Sequence, residues 1–281
     1  MDGVLETVFK QANTLLKDRE KLINEKEVHV VSYRWDSFTP KLRVFDDGEL
    51  IELDMGKIGF NVSQEKICIG NFEDGYTPCP KQRSVNTFSQ CRGCAPESIP
   101  HLECIFEPKD CERCEGGFCE EEHAVYLAFH SYHPKIGMTK KSRLKTRLIE
   151  QGADAYSLLA TLLHRKEARQ EENRISEFLG ISQRGSKKRK LKTLSKKIDK
   201  EGIRTGYRSV KNRIPTGKLI FLNDYPISLP LRAVPRYRPT PGLHRGKMVG
   251  IKGEFLIYEN NGLHALNLAD LPGRRMKVSG P

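Results

Sequence analysis

The chain has 281 residues, of which 37% are hydrophobic and 30% charged, so we expect two or three globular domains, each with its own core. Its longest apolar runs, near 124–129 and 158–163, are too short to span a bilayer, which excludes a helical membrane protein and gives no reason to expect a membrane partner. The net charge of +12 favours a polyanionic partner.

The first part of the sequence predicts a helix followed by a small β unit. Apolar residues between positions 4 and 23 recur with helical spacing, and no basic or apolar leader typical of a signal peptide precedes them. We therefore expect a cytoplasmic protein. Strands are predicted at 29–35, 42–45 and 50–53, and Asp46-Asp47-Gly48 between the last two is typical of a hairpin turn.

All eight cysteines lie in one window, positions 68–119. Cys91 and Cys94 form one C-x2-C pair, and after sixteen intervening residues Cys111 and Cys114 form another. Two such pairs are typical of a tetrathiolate zinc site, because each tight turn presents two sulfurs to one ion. The window has little apolar periodicity, so we expect a structural Zn2+ to hold it together.

The grouping of the cysteines around metal stays open. The two pairs give the simplest quartet, and a second site has as its candidates Cys68, Cys79, Cys104 and Cys119 with His101 or His123. A competing single site consists of Cys79, Cys91, Cys94 and Cys119. A disulfide framework and a redox-sensing thiol cluster are the alternatives to metal, although clustered cysteines in a reducing compartment favour metal ligation. The candidate metal ligands are Cys79, Cys91, Cys94, Cys104, Cys111, Cys114 and Cys119.

From His123 onward the sequence predicts alternating strands and helices. The elements, in chain order, are strands at 124–129 and 135–139, a helix at 142–151, a strand at 155–164 and a helix at 166–179. Gly152 and Gly180 follow the two helices, where glycine commonly ends a helix. The order strand, strand, helix, strand, helix predicts a compact α/β domain.

A basic segment follows this domain. Residues 184–213 contain thirteen Lys or Arg against Asp199 and Glu201, a net charge of +11, so the other residues sum to only +1. Leu191, Leu194 and Ile198 recur at helical spacing, which predicts a basic amphipathic helix that docks on the body of the protein. A solvated linker and a membrane-surface helix are the alternatives.

We expect the basic segment to bind nucleic acid, RNA or DNA. The candidate contacts are Lys187, Lys188, Arg189, Lys190, Lys192, Lys196 and Lys197. Beyond this segment, strands of a C-terminal β module are predicted at 218–222, 248–251, 254–259 and 264–267. The sequence leaves the oligomeric state open.

The α/β segment carries a set of tyrosine, glycine and charged residues at defined positions on its strands and helices. Ala124-Val125-Tyr126 and Lys135-Ile136-Gly137 occupy the two strands, and Arg147 lies on the first helix. Glu171 and Glu172 lie on the second helix. In this order they resemble the GIY-YIG endonuclease domain, with Lys135 at the second tyrosine position and two extra residues between Gly137 and the helix as departures.

The resemblance implies phosphodiester hydrolysis. Tyr126, with a lowered pKa, would activate water, and Arg147 would stabilise charge on the phosphorane. Glu171 or Glu172 would hold Mg2+ or Mn2+, and Lys135 would contact phosphate. The alternative interpretation makes Tyr126 a core residue and Arg147 and Glu171 ordinary helix-surface charges.

Most of the chain beyond about residue 30 resembles domain-of-unknown-function family 2797. The stretches that carry this resemblance are Cys68-Ile69-Gly70, Gln90–Cys94, Phe118-Cys119, His123–Ala128, Lys135–Thr139, Arg147–Ala153 and Gly250–Leu256. In that family a lysine at the second tyrosine position is normal. The resemblance implies an architecture and no established activity.

Together these features predict an α+β protein with five segments. They are an N-terminal helix and small β unit at 1–65, a zinc-ribbon-like cysteine region at 66–122, a GIY-YIG-like domain at 123–183, a basic arm at 184–214 and the β module at 215–281. We expect a zinc-binding protein that interacts with nucleic acid, either as a metal-dependent endonuclease or without catalysis. A scaffold that binds an acidic protein is a third possibility.

Overall fold

The computed structural model describes residues 27–53, 55, 58–86, 88–95 and 119–278. It is a mixed α/β structure, as predicted, and the predicted helix at 4–23 lies outside the described residues. Its strands are β1 (Glu27–Asp36), β2 (Thr39–Asp46), β3 (Glu49–Leu53), β4 (Ile58–Lys66), β5 (His123–His130), β6 (His133–Lys140), β7 (Ala155–Leu162), β8 (Ile220–Phe221), β9 (Arg236–Tyr237), β10 (Gly242–Lys252), β11 (Phe255–Glu259), β12 (Leu263–Asn267) and β13 (Arg274–Val278). The helices of the described residues are α1 (Leu144–Glu150), α2 (Arg165–Leu179), α3 (Lys187–Thr193) and α4 (Lys200–Lys211).

The larger sheet joins the two ends of the described chain. Its strand order is β3-β2-β1-β13-β4-β10-β11-β12-β9, so β13 lies between β1 and β4. The predicted N-terminal β unit therefore shares one sheet with later strands of the predicted C-terminal module, but the strand predicted at 218–222 is β8, which pairs with β7 in a second, smaller sheet. The predicted domain boundaries stay a prediction. The hairpin between β2 and β3 turns at Asp47 and Gly48, both with positive φ, as the sequence indicates.

The smaller sheet has the order β6-β5-β7-β8, with every neighbouring pair antiparallel. Its elements follow the predicted order, with α1 preceded by a 3-10 turn at Lys141–Arg143 and α2 ended by Gly180 in the left-handed conformation. All eight residues of the central strand β5 are buried. The sequence of a strand that is covered on both faces is a continuous apolar run, and this local pattern predicts β5.

The two faces of β5 belong to different cores. Tyr126 and Ala128 pack with Leu148 and Ile149 of α1 against the larger sheet. The opposite face packs against α2 and α4, in a cluster that includes Val125, Leu127, Phe129, Ala168, Ile175, Ile203 and Val210. The smaller sheet is therefore sandwiched between the larger sheet and a helical layer.

The basic segment folds onto the protein as two helices. Leu191 and Leu194 are buried against Phe255 and Ile257 of β11, so the predicted docking of this segment is confirmed. The single predicted helix is interrupted because Asp199 starts α4, where its side chain accepts a hydrogen bond from the Gly202 backbone at 2.8 Å. No helix of the described residues is long and apolar enough to cross a membrane.

Candidate functional site

Four cysteines form a compact cluster beside the end of β4. The Sγ atoms of Cys68, Cys79, Cys91 and Cys94 all lie within 4.8 Å of one another, and those of Cys79 and Cys91 are 3.9 Å apart. Cys91 and Cys94 sit on one tight turn, in which the backbone N–H of Cys94 donates to the Cys91 carbonyl at 2.9 Å. The turn thus directs both sulfurs of the C-x2-C pair to one point.

The cluster has the chemistry of a closed tetrathiolate site and could hold a metal such as zinc. Zn–S bonds of about 2.3 Å at tetrahedral angles place sulfurs roughly 3.8 Å apart, close to the separation of Cys79 and Cys91. The backbone N–H groups of Cys91 and Gly70 lie 3.1 and 3.5 Å from the Cys68 sulfur and donate to it. Such donors stabilise a thiolate and orient it toward a metal.

The pKa values of the clustered thiols are shifted in different directions. Burial raises the pKa of the Cys68 and Cys94 thiols. Burial would also raise the pKa of Cys79, but hydrogen bonds from the backbone of Arg83 and Lys81, together with those to the thiols of Cys94 and Cys68, outweigh it and lower that pKa to about 7.

The observed grouping differs from the simplest quartet expected from the sequence. Cys91, Cys94 and Cys79 were candidate ligands, but their fourth partner is Cys68, which the sequence argument placed only in a second site. Gly70, two residues after Cys68, has φ of +87°, and a Cβ there would lie 2.2 Å from the Thr77 carbonyl oxygen. The Cys-x-Gly pattern that makes this turn is a sequence signal that could have indicated Cys68 as a member of the cluster.

The remaining predicted ligands fall elsewhere. Cys119 is among the residues that the structure describes, and it is not one of the four clustered cysteines. The Nδ1 atom of His123 lies 2.6 Å from the Glu121 carbonyl oxygen. Cys104, Cys111 and Cys114, together with His101, lie outside the described residues. A site built from the second C-x2-C pair therefore stays a prediction.

A second group of candidate residues meets where β5, β6 and α1 come together. Gln151, directly after α1, donates from Nε2 to the Tyr126 hydroxyl at 3.2 Å. Its Oε1 accepts a hydrogen bond from the Lys135 ammonium at 2.9 Å. Sequence reasoning missed Gln151, although it lies in the Arg147–Ala153 stretch that carries the family resemblance. The two matched motif residues are thus joined by one amide side chain.

Tyr126 is a buried residue with a fixed ring. It is 1% exposed, and it pairs across the sheet with Gly137, where an added Cβ would lie 2.6 Å from the Tyr126 ring. The Ile-Gly motif on β6 therefore makes room for the tyrosine. Burial raises the pKa of Tyr126, so the expected lowering of this pKa is wrong, and the phenol stays protonated at neutral pH.

Lys135 is the residue of this group whose charge is most easily lost. Burial lowers its pKa to about 8, and the cationic side chains of Lys190 and Arg147 contribute to the same shift. A substantial fraction of this amine is therefore neutral just above neutral pH.

The structure distinguishes the two glutamates on α2. Glu172 is 3% exposed and forms an ion pair with Arg169, and its carboxylate also accepts a hydrogen bond from the Met138 backbone on β6. Burial raises the pKa of Glu172. Glu171 instead forms a two-bond ion pair with Arg174 at 2.6 and 2.7 Å, which lowers the pKa of Glu171.

Arg147 is the exposed member of the group. Its side chain is 48% exposed, and its guanidinium lies 3.5 Å from Glu150, which Arg143 also contacts at 3.1 Å. Its charge acts on both Tyr126 and Lys135, favouring the deprotonated form of each. The predicted catalytic residues Tyr126, Lys135, Arg147 and Glu172 thus share one electrostatic neighbourhood, whereas Glu171 is occupied by its own partner.

The seven predicted nucleic-acid contacts separate into two sets. Lys190 forms an ion pair with Glu254 at 2.9 Å, and the Lys187 ammonium lies 5.7 Å from the centroid of the Tyr237 ring. The other five side chains are exposed, namely Lys188, Arg189, Lys192, Lys196 and Lys197. All of these except Lys197 line a groove of about 390 Å³, which also contains Tyr132, His133, Ser186 and Thr193.

The fold and the cysteine cluster define a mixed α/β protein with a four-cysteine site that could hold a metal ion. The chain belongs to the family described as protein of unknown function (DUF2797), which matches residues 56–275. This range includes the four clustered cysteines, the smaller sheet and both basic helices. Neither the curated proteins nor the solved structures provide a match to the chain.

Proposed function

We propose that this protein binds zinc through its four clustered cysteines and binds nucleic acid through α3 and the chain that follows it. The observation that carries the proposal is a group of exposed cations on a docked helix. Leu191 and Leu194 are buried against the body of the protein, so the backbone that carries the exposed Lys188, Lys192 and Lys196 is held in place. A fixed array of positive charge is suited to the phosphate backbone of RNA or DNA.

The charge balance of the groove supports a polyanionic ligand. Lys188, Arg189, Lys192 and Lys196 form no ion pair with a carboxylate of the described residues, whereas Lys190 beside them pairs with Glu254. Four unpaired cations close together repel one another, and a bound phosphate chain removes that repulsion.

Zinc in this proposal is a structural ion. Four thiolates fill a tetrahedral coordination sphere, so no position is left for water or substrate. Cys68 follows β4 of the larger sheet, and Cys79, Cys91 and Cys94 belong to the loops beyond it. The ion would fasten these loops to the sheet, since they bury little apolar surface.

A salt-dependent binding experiment tests the nucleic-acid interaction. We expect binding of RNA or DNA to weaken linearly with salt on a log-log plot. Lys188→Gln with Lys192→Gln should reduce the slope by about 0.7 for each lysine on a single strand. The matched control, Lys247→Gln with Lys277→Gln, removes two exposed lysines of the larger sheet and should leave the slope unchanged. If the two double variants reduce the slope equally, binding is explained by the overall positive charge of the protein and not by α3. If the wild type binds no nucleic acid, the alternative of a scaffold that binds an acidic protein is favoured.

A second candidate function is phosphodiester hydrolysis by a GIY-YIG-like domain. The hydrogen-bonded series Lys135, Gln151 and Tyr126 beside Arg147 supports this candidate. The neutral Lys135 amine would accept a proton from water, and the water oxygen would attack phosphorus while the phosphorus–oxygen ester bond breaks. The Arg147 guanidinium would stabilise the charge on the non-bridging oxygens, and the leaving oxygen would take a proton from solvent.

The residues near this group do not form a ready-made Mg2+ or Mn2+ site. The cluster of metal-ligating side chains found among the described residues is the cysteine quartet, and Glu172 is already paired with Arg169. Hard divalent cations favour several oxygen ligands, and one paired carboxylate does not fit that need. The proposed hydrolysis therefore routes no step through such an ion.

A cleavage assay separates catalysis from binding. Wild-type protein, Lys135→Met and Arg147→Ala would be incubated with end-labelled structured RNA and DNA, with and without Mg2+ or Mn2+. Glu171→Gln is the control, because it removes a charged side chain of α2 that pairs with Arg174 and has no part in the proposed step. Discrete products that disappear in the first two variants and persist in the control would establish hydrolysis. Bound but uncut substrate in every sample would leave a non-catalytic binding protein.

A further inference from the structure

We propose that the groove beside α3 binds an unpaired nucleotide, with its base stacked on Tyr132 or His133 and its phosphates held by the α3 cations. This inference rests on the proposed nucleic-acid binding and specifies its ligand as single-stranded or looped nucleic acid. Its basis is that two adjacent aromatic rings and four cationic side chains line one groove.

The aromatic wall comes from the turn between β5 and β6. The ring centroids of Tyr132 and His133 are 4.1 Å apart, and Tyr132 is 46% exposed. The turn is fixed by Ser131, whose backbone N–H donates to the buried Asp154 carboxylate at 2.6 Å. On the other side, a Cβ added to Gly202 of α4 would lie 3.1 Å from the Tyr132 Cβ. The backbone that carries the two rings is therefore held by these contacts.

The cationic wall comes from α3 and the residues that follow it. Lys188 and Lys192 are one helical turn apart, so both side chains emerge on the same face. Arg189 and Lys196 complete this wall. Arginine and lysine bind phosphate in complementary ways, the first through a planar fork and the second as a point charge.

The aromatic rings favour binding of unpaired over paired nucleic acid. In a duplex the faces of the bases are stacked on their neighbours and are unavailable, whereas bases in loops and single strands stack on aromatic side chains. The groove volume of about 390 Å³ lies within the range of roughly 300–1,000 Å³ typical of small-ligand sites. A groove of this size suits one nucleotide with its flanking phosphates.

The charge on His133 is compatible with stacking. Burial lowers the pKa of His133, and the neighbouring Arg189 and Lys196 lower it further, so the ring is neutral at physiological pH. Phosphate would be held by the lysine and arginine side chains and the base by the two rings.

The test measures anisotropy of a short fluorescent single strand, as RNA and as DNA, against a duplex of the same length and a strand with abasic sites. Wild-type protein should bind the intact strand about tenfold more tightly than the abasic strand, as expected for stacking. Tyr132→Ala with His133→Ala should lose this tenfold preference. The matched control is Tyr237→Ala, which removes another exposed aromatic ring with a lysine over it but outside this groove.

The outcomes separate this inference from the function on which it rests. Binding without any preference for intact over abasic strands, or for single strands over duplex, would overturn the nucleotide site and keep nucleic-acid binding. A failure of the wild type to bind any of these ligands would overturn both. The comparison of intact with abasic strands uses only wild-type protein, so it does not depend on the folding of a variant.

Discussion

Lys252 on β10 and Asp154, just before β7, form a buried ion pair that joins the two sheets. The side chains are 6% and 2% exposed, and Asp154 also accepts the backbone hydrogen bond from Ser131. The Lys252 ammonium lies 5.3 Å from the centroid of the Tyr225 ring. Nearby, a Cβ added to Gly253 would lie 2.4 Å from the Gly152 nitrogen, so the two backbones are in direct contact. The stretches 147–153 and 250–256 that carry the family resemblance therefore meet at the junction of the sheets.

Breaking this ion pair should destabilise the protein strongly. Lys252→Met leaves the buried Asp154 carboxylate without its cation, and we expect a loss of about 3–5 kcal/mol in the free energy of unfolding. Urea unfolding of the variant and the wild type measures this loss. The double variant with Asp154→Asn removes both charges and should recover much of the loss. A single variant as stable as wild type would show that the ion pair does not hold the junction.

Replacing Gly137 with alanine should also destabilise the protein. The new Cβ would overlap the ring of Tyr126, and both positions are buried, so we expect a loss of about 1–3 kcal/mol by denaturant unfolding. Gly185→Ala is the control, because its Cβ would meet only the flexible end of Lys190 at 3.3 Å. If Gly137→Ala and Gly185→Ala are equally stable, the close approach to Tyr126 is not a constraint.

Substitution of Cys68 should remove bound metal. Because Cys68 belongs to the observed cluster and not to the paired C-x2-C quartet, Cys68→Ser should lower the zinc content by about one ion per chain and lower the melting temperature. Elemental analysis by mass spectrometry measures the first effect and calorimetry the second. Full zinc content in Cys68→Ser together with loss in Cys111→Ser would assign the metal to the two C-x2-C pairs instead.

The pKa of Lys135 predicts a pH dependence of stability. The pKa is about 8 in the folded protein and near 10.5 in the unfolded chain, so the unfolded state binds more protons between these values. Wild-type stability should therefore rise between about pH 8 and pH 10.5 relative to Lys135→Met, by at most about 3 kcal/mol. Below about pH 8 the difference should be constant. Parallel pH profiles for the two proteins would show that Lys135 is not perturbed by burial.

Local chemistry explains which elements were predicted correctly. The continuous apolar run of β5, the Asp47-Gly48 turn and the glycine at the end of α2 each specify a structure through neighbouring residues. β4 and β13 were not predicted. The register of β13, which pairs Met276 with both Val28 and Val62, depends on partners more than 200 residues away in the chain. A short, charged strand of this kind has no local signal strong enough to identify it.

The candidate sites divide in the same way. The residue types indicated a thiolate metal site and a basic surface, but not which side chains take part. The fold brings Cys68 to Cys91 and Cys94, buries Glu172 while leaving Glu171 to Arg174, and diverts Lys190 to Glu254. The Cys68 contacts, the burial of Glu172 and the Lys190–Glu254 pair depend on distant segments, whereas the pairing of Glu171 with Arg174 is local to α2.

The sequence by itself determined the concentration of cysteines, the position of the positive charge and the order of elements in the α/β segment, because these are properties of neighbouring residues. The tertiary structure alone decided the pairing of β1 with β13 in one sheet, the composition of the cysteine cluster and the groove between Tyr132 and α3. Such features are set by the packing of whole elements against one another, which a local pattern of residues does not encode.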